Sequence, residues 1–153
     1  MKTLLVIDMQ KGFLSNDKYL DLNKKIIDLI NKGNYDKYIF TKFVNDKSQN
    51  SFYQEKIGWF ELTTKSEQDF SLTIPSNATI IEKYGYSLPQ KDLEYIKSLD
   101  ISEIDICGVK SEACVYAISL QLWDNGIYPN ILTDYVLGDV DMTNIFIERF
   151  GHK

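Results

Sequence analysis

The sequence holds a single histidine, His152, one residue from its C-terminal end, and two cysteines, Cys107 and Cys114. Chain ends tend to fray, so a triad built around an imidazole has no dependable place to form. The cysteines lie seven apart, a spacing that matches neither a CxxC redox pair nor a zinc knuckle. One reads as packing and the other as chemistry, with no metal and no cofactor expected. No stretch approaches the roughly 20 apolar residues that span a bilayer. The opening Met1-Lys2-Thr3-Leu4-Leu5-Val6-Ile7-Asp8 reaches an acid too soon for a signal-peptide core, so the expected location is the cytoplasm. The net charge of −5 comes from 22 acidic and 17 basic side chains, and neither sign gathers into a run. Phosphate binding depends on clustered Lys and Arg, which sets nucleic acid aside as a partner. Repeats, low-complexity tracts and linkers are absent too.

What is present is an ordinary globular mix, with 44% hydrophobic and 25% charged residues among 153. That length suits one domain, read here as residues 1–153. Short, uninterrupted apolar runs recur at 3–7, 38–43, 78–81, 104–107 and 128–132. Strands covered on both faces read this way, as in parallel sheets beneath two helical layers. Segments of helical spacing lie between them: Leu22, Ile26 and Ile30; Leu93, Ile96 and Leu99; Val115, Ile118 and Leu122; and a last one over 144–150. Strand and helix alternate, which predicts an α/β fold with an open, mainly parallel sheet of five strands and helices on both faces. The span 45–76 is the least regular and is expected to hold one helix and a long loop.

In such a sheet, ligands bind beyond the carboxyl ends of the strands. Asp8 ends the first strand, Lys83 follows the third, and Cys114 comes six residues after the fourth. Each has a plain structural reading, as a turn cap, a solvated lysine and a small core residue. Their convergence on one edge favours chemistry. After Cys107 the chain runs Gly108-Val109-Lys110-Ser111-Glu112-Ala113-Cys114. Gly108 permits a tight exit and Ser111 or Glu112 can cap a helix, which places Cys114 in a first helical turn. The positive end of that helix is expected to lower the thiol's pKa. Cys107, inside an apolar strand, is expected to stay protonated and inert.

These residues resemble the isochorismatase-like cysteine hydrolases, a family that includes nicotinamidases, carbamoylsarcosine amidases and ureidoacrylate or biuret hydrolases. Leu4-Leu5-Val6-Ile7-Asp8-Met9-Gln10-Lys11-Gly12-Phe13 is similar to the family's first strand with its catalytic Asp. Ile81-Glu82-Lys83-Tyr84-Gly85-Tyr86-Ser87 is similar to the catalytic Lys region, and 108–115 to the nucleophile loop, followed by Gly126-Ile127-Tyr128 and Thr133-Asp134. The resemblance implies a Rossmann-like isochorismatase fold of five or six strands, since the sequence stops at Gly151-His152-Lys153, close to where the family's sixth strand would begin. It implies that Asp8, Lys83 and Cys114 are the catalytic trio and that the enzyme cleaves a C–N bond (amide, ureido or carbamoyl) of a small molecule through a thioester. It further implies an oxyanion hole formed by the backbone N–H groups of Lys110 and Cys114, a cis Val109–Lys110 peptide, and self-association into homo-oligomers. Phe13, Trp59, Tyr84 and Tyr86 are the candidate pocket walls. Lys42-Phe43-Val44-Asn45-Asp46 lacks the histidine that metal-dependent nicotinamidases carry there, so the resemblance points to a metal-independent hydrolase.

Three rival readings remain. A dinucleotide-binding oxidoreductase needs a GxGxxG turn that 8–12 does not contain. A receiver-like signalling domain needs paired acids beside Asp8. A degenerate binding module that kept the fold and lost turnover is the third.

Overall fold

The computed structural model describes residues 1–151. The chain runs β1 (Thr3–Ile7), a 3-10 turn (Lys11–Phe13), α1 (Asp17–Asn31), β2 (Lys37–Phe43), α2 (Phe52–Glu55), α3 (Lys65–Gln68) and β3 (Thr79–Lys83). It continues through α4 (Gln90–Ser98), β4 (Glu103–Val109), a π-helical turn (Ser111–Val115), α5 (Tyr116–Asp124), β5 (Tyr128–Leu137) and α6 (Thr143–Phe150). The five strands form one sheet in the order β3-β2-β1-β4-β5, and every pairing is parallel. Among the described residues no sixth strand follows α6, and none of the helices is long and apolar enough to cross a membrane.

All five residues of β1 are buried, as a central strand under two layers requires. Leu4, Leu5, Val6 and Ile7 face Ile39, Phe40, Ile106 and Cys107 within one continuous core. Helix α1 shows how sequence sets an element's limits. Asn16 has extended backbone and its side-chain oxygen accepts the Tyr19 N–H, satisfying one of the N–H groups that a helix start leaves unpaired. Tyr19, Leu22 and Ile26 form its buried stripe, and it packs over β4 and β5.

Gly108 lies inside β4 rather than after it, paired with Ile7. A Cβ there would overlap the Ile7 carbonyl oxygen, and its φ is +118°, so only glycine lets β1 and β4 approach so closely. Strand β4 therefore runs two residues past the apolar stretch that predicted it. The irregular segment also differs from expectation, because it carries two four-residue helices, α2 and α3, instead of one. Two buried side chains hold it: Gln10 attaches it to the sheet and Asn45 ties it to itself. Gln10 Nε2 donates to the Phe43 and Gln68 carbonyls, and Asn45 Nδ2 donates to those of Trp59 and Glu61. Polar side chains thus satisfy backbone groups that the absence of regular structure leaves unpaired.

Candidate active site

Counting outward from β1, β2 and β3 succeed one another on one side of the sheet, whereas β4 and β5 lie on the other. The crevice at that reversal, beyond the strand ends, is where open α/β sheets place ligands. Asp8 leaves β1 there with φ +53°, in the left-handed region that Asp tolerates better than most residues. Its N–H reaches the Thr41 hydroxyl at 3.1 Å, and the same hydroxyl donates to Asp8 Oδ1 at 2.7 Å. One carboxylate oxygen is thereby held by the neighbouring strand, leaving Oδ2 turned toward Lys83.

Lys83 is the last residue of β3 and is wholly buried, so the solvated-lysine reading is excluded. Its Nζ lies 3.0 Å from Asp8 Oδ2, 2.9 Å from the Gly85 carbonyl and 3.1 Å from Cys114 Sγ. It also sits 4.4 Å from the centre of the Phe43 ring, its register partner on β2. Burial alone would lower the ammonium's pKa, but Asp8 and Cys114 outweigh it and hold the group above its ordinary value.

Cys114 does not sit in an ordinary first helical turn. It lies within the π-helical turn between β4 and α5, where the Val115 N–H reaches back to the Lys110 carbonyl at 3.2 Å. Such turns add one residue per closure and re-aim a side chain. The Val109–Lys110 peptide that precedes it is cis. The sequence-based expectation of a lowered thiol pKa is reversed: burial pushes the Cys114 thiol up to about 12, with Lys83 only partly offsetting it. At 5% exposure the desolvation of a thiolate outweighs the favourable ends of a short turn. Cys107 is also pushed well above the ordinary thiol range by burial, and it makes no contact with the trio.

The mouth above Cys114 is a cavity of about 190 Å³. Phe13, Trp59 and Tyr86 line it, as do Lys110, Glu112 and Asp139. Tyr84 does not. It follows Lys83 by one residue, where successive side chains take opposite faces, and its carbonyl accepts Asn50 Nδ2 instead. Two aromatic walls escaped the sequence, Phe43 and Tyr53, as did Ile57, Glu112, Ala113 and Asp139. The Tyr53 hydroxyl accepts the Tyr86 N–H at 2.9 Å and its ring stands edge-on to Phe43, Trp59 and Tyr86. Nothing in the irregular composition of 45–76 signalled that role.

The stretch expected to matter for a metal does not fit one. Asn45 is spent on loop carbonyls and on Gln54, while Asp46 Oδ1 accepts from Ser48. Among the described residues no group of three or more His, Cys, Asp or Glu side chains is disposed to hold an ion, and His152 lies outside them.

The isochorismatase domain profile matches residues 2–139, which takes in every residue of this site. The chain belongs to the isochorismatase family. No curated protein matches it by sequence. Among solved structures, it superposes on an N-carbamoylsarcosine amidase from Thermoplasma acidophilum with a TM-score of 0.81 and 16% identity, covering 99% of this chain and 94% of that one. A nicotinamidase from Bacillus subtilis gives 0.82 and 17% identity, covering 99% and 97%. A pyrazinamidase of Pyrococcus horikoshii, solved in complex with zinc, gives 0.79 and 23% identity, covering 96% and 93%. At these identities the likeness establishes the shared fold.

Proposed function

We propose that this isochorismatase-family chain is a cysteine hydrolase that cleaves a C–N bond of a small amide, ureido or carbamoyl compound, with Asp8, Lys83 and Cys114 as its catalytic residues. The supporting observation is the buried ammonium of Lys83, which touches both Asp8 Oδ2 and Cys114 Sγ at the floor of an open cavity. A buried charge is expensive, and a site built only for packing would fill that space with an apolar side chain.

The proposed reaction has two stages, acylation and hydrolysis. Burial disfavours the Cys114 thiolate, so attack needs a base, and Asp8, bridged to Cys114 by the Lys83 ammonium, is the carboxylate placed to serve. The S–H proton passes to Asp8 as sulfur bonds to the substrate carbonyl carbon, giving a tetrahedral intermediate. The backbone N–H groups of Lys110 and Cys114 receive the oxyanion. Asp8 returns the proton to the departing nitrogen, the C–N bond breaks, and a thioester remains. Water then attacks with Asp8 again as base; the C–S bond breaks, the thiol regains its proton, and the acid is released. Lys83 holds Asp8 Oδ2 in position throughout. No step calls on a metal, and the reading is of a metal-independent enzyme over the whole of residues 1–153. Self-association belongs to the same reading: β3 and β5 are sheet edges, and Phe52, Phe60 and Trp123 are exposed.

A panel of small primary amides, ureas and carbamoyl compounds, assayed for ammonia release, tests this. The expected result is turnover of at least one compound by the wild type, none by Cys114→Ala, and an acyl adduct on Cys114 by mass spectrometry after rapid quench. Absence of both turnover and adduct across the panel would leave a binding module that kept the fold.

A further inference from the structure

The charges around the cavity narrow the substrate class. Each cation that a carboxylate-bearing substrate would need is already engaged. An ammonium carries three protons, and Lys83 Nζ meets three partners: Asp8 at 3.0 Å, the Gly85 carbonyl at 2.9 Å and Cys114 at 3.1 Å. Lys83 lies beneath Cys114 and does not line the cavity; Lys110, which does, is paired with Asp139 Oδ2 at 3.2 Å and also feels Glu61.

Of the two acids that line the cavity, Glu112 is held in place, whereas the Asp139 side chain is largely exposed. Glu112 Oε1 accepts the Asp139 N–H at 3.1 Å and its other oxygen accepts the Ser111 hydroxyl at 2.9 Å. A Cβ on Gly138 would overlap Glu112 and Ser111, so the chain passes there only as glycine. With Lys83 balanced by Asp8 and Lys110 by Asp139, the Glu112 carboxylate leaves the lining negative. The remaining wall is the rings of Phe13, Phe43, Tyr53, Trp59 and Tyr86, whose faces attract cations and offer a carboxylate no hydrogen bond.

Resting on the hydrolase reading above, we propose that this cavity admits small amides whose acyl part is uncharged or cationic and excludes those that carry a carboxylate, with Asp139 and Glu112 setting the preference. An anionic acyl group gives up its hydration here without gaining a free cation, and it approaches an excess of like charge.

Three probes of matched size test this: benzamide, 3-carbamoyl-1-methylpyridinium and 3-carbamoylbenzoate, assayed for ammonia release by the wild type, Asp139→Asn and Glu112→Gln. The expected wild-type kcat/KM is at least about tenfold higher for the first two than for the carboxylate, with a gap that shrinks as salt rises. Asp139→Asn releases Lys110 and is expected to narrow the gap most. Equal or faster turnover of 3-carbamoylbenzoate, or a gap unchanged in both variants, overturns the inference. If the wild type releases ammonia from none of the three, the hydrolase reading fails for such amides, and the charge preference is then decided by calorimetric binding of the same probes to Cys114→Ala. There, tighter binding of the neutral and cationic probes supports it. Equal binding of the anion, or binding of none, overturns it.

Discussion

Replacing Lys83 with Met removes one charge from the interior and leaves another behind. Unit charges 3.0 Å apart attract by about 5 kcal/mol at an effective dielectric of about 20. Part of that attraction offsets the cost of burying both groups, so the net loss on breaking the pair is about 3–5 kcal/mol. A solvated lysine would cost about 0.5 kcal/mol or less. The variant is therefore expected to melt well below the wild type. Asp8→Asn combined with Lys83→Met removes both charges and is expected to recover much of that loss, which shows that the stranded carboxylate was the cause. Activity follows a different rule. Without Lys83 the carboxylate loses the contact that fixes Oδ2 beside Cys114, and in the double variant the carboxylate is gone; general-base contributions of about 10²- to 10⁴-fold are at stake, so turnover should fall at least about a hundredfold in both variants. Alkylation of Cys114 by iodoacetamide should slow as well, since Lys83 is the neighbour that favours its thiolate. Turnover within a few-fold of wild type, with unchanged labelling of Cys114, would refute the assignment of Lys83 to the site.

Thr41→Val keeps the shape beside Asp8 and removes the hydroxyl that bonds Oδ1 at 2.7 Å. Its expected cost is about 1–3 kcal/mol in urea-melt stability, with kcat reduced more than KM because the base loses its orientation rather than the substrate its pocket. Alkali should destabilise the fold. The folded pKa values of Cys114, Cys107 and Lys83 are all raised, so the stability they contribute is full below their unfolded values and is lost as pH rises through the folded ones. A melting temperature steady to about pH 8.5 and falling above about pH 9 is expected in circular-dichroism melts, whereas a flat profile to pH 11 would contradict those shifts. Dialysis against EDTA should leave turnover unchanged and elemental analysis should find no stoichiometric zinc or iron. Loss of activity restored by one added metal would count against the trio acting alone.

The fold was legible where hydrophobic pattern and burial coincide. Strand β1 is five buried residues that could be nothing but a central strand, and the polar group that ended it, Asp8, marked the crevice. Lys83 was found by position alone, because a lysine at a strand end looks the same in sequence whether solvated or buried. Two features lay beyond pattern. Gly108 reads as a turn because glycine is a turn residue, yet its lack of a side chain serves close strand approach inside β4. The ionisation of Cys114 was misjudged because a local rule about helix ends was applied without the depth of burial, a tertiary quantity. Tyr53 was invisible for a related reason: its place against Tyr86 depends on how 45–76 folds back, and no periodicity records that path.

The attachment of 45–76 through Gln10 divides the molecule into parts that can change at different rates. Asp8, Thr41 and Lys83, at or next to strand ends, are tied directly to one another, and Lys83 reaches Cys114 in the turn after β4. Ile57, which lines the cavity, belongs to a segment outside the sheet and is mostly solvent-exposed, as are its neighbours Phe52 and Phe60. Substitutions there cost the core little. A lineage can therefore reshape the cavity mouth through Ile57 while Asp8, Lys83 and Cys114 stay as they are, and a laboratory library aimed at new ligands would begin at that position.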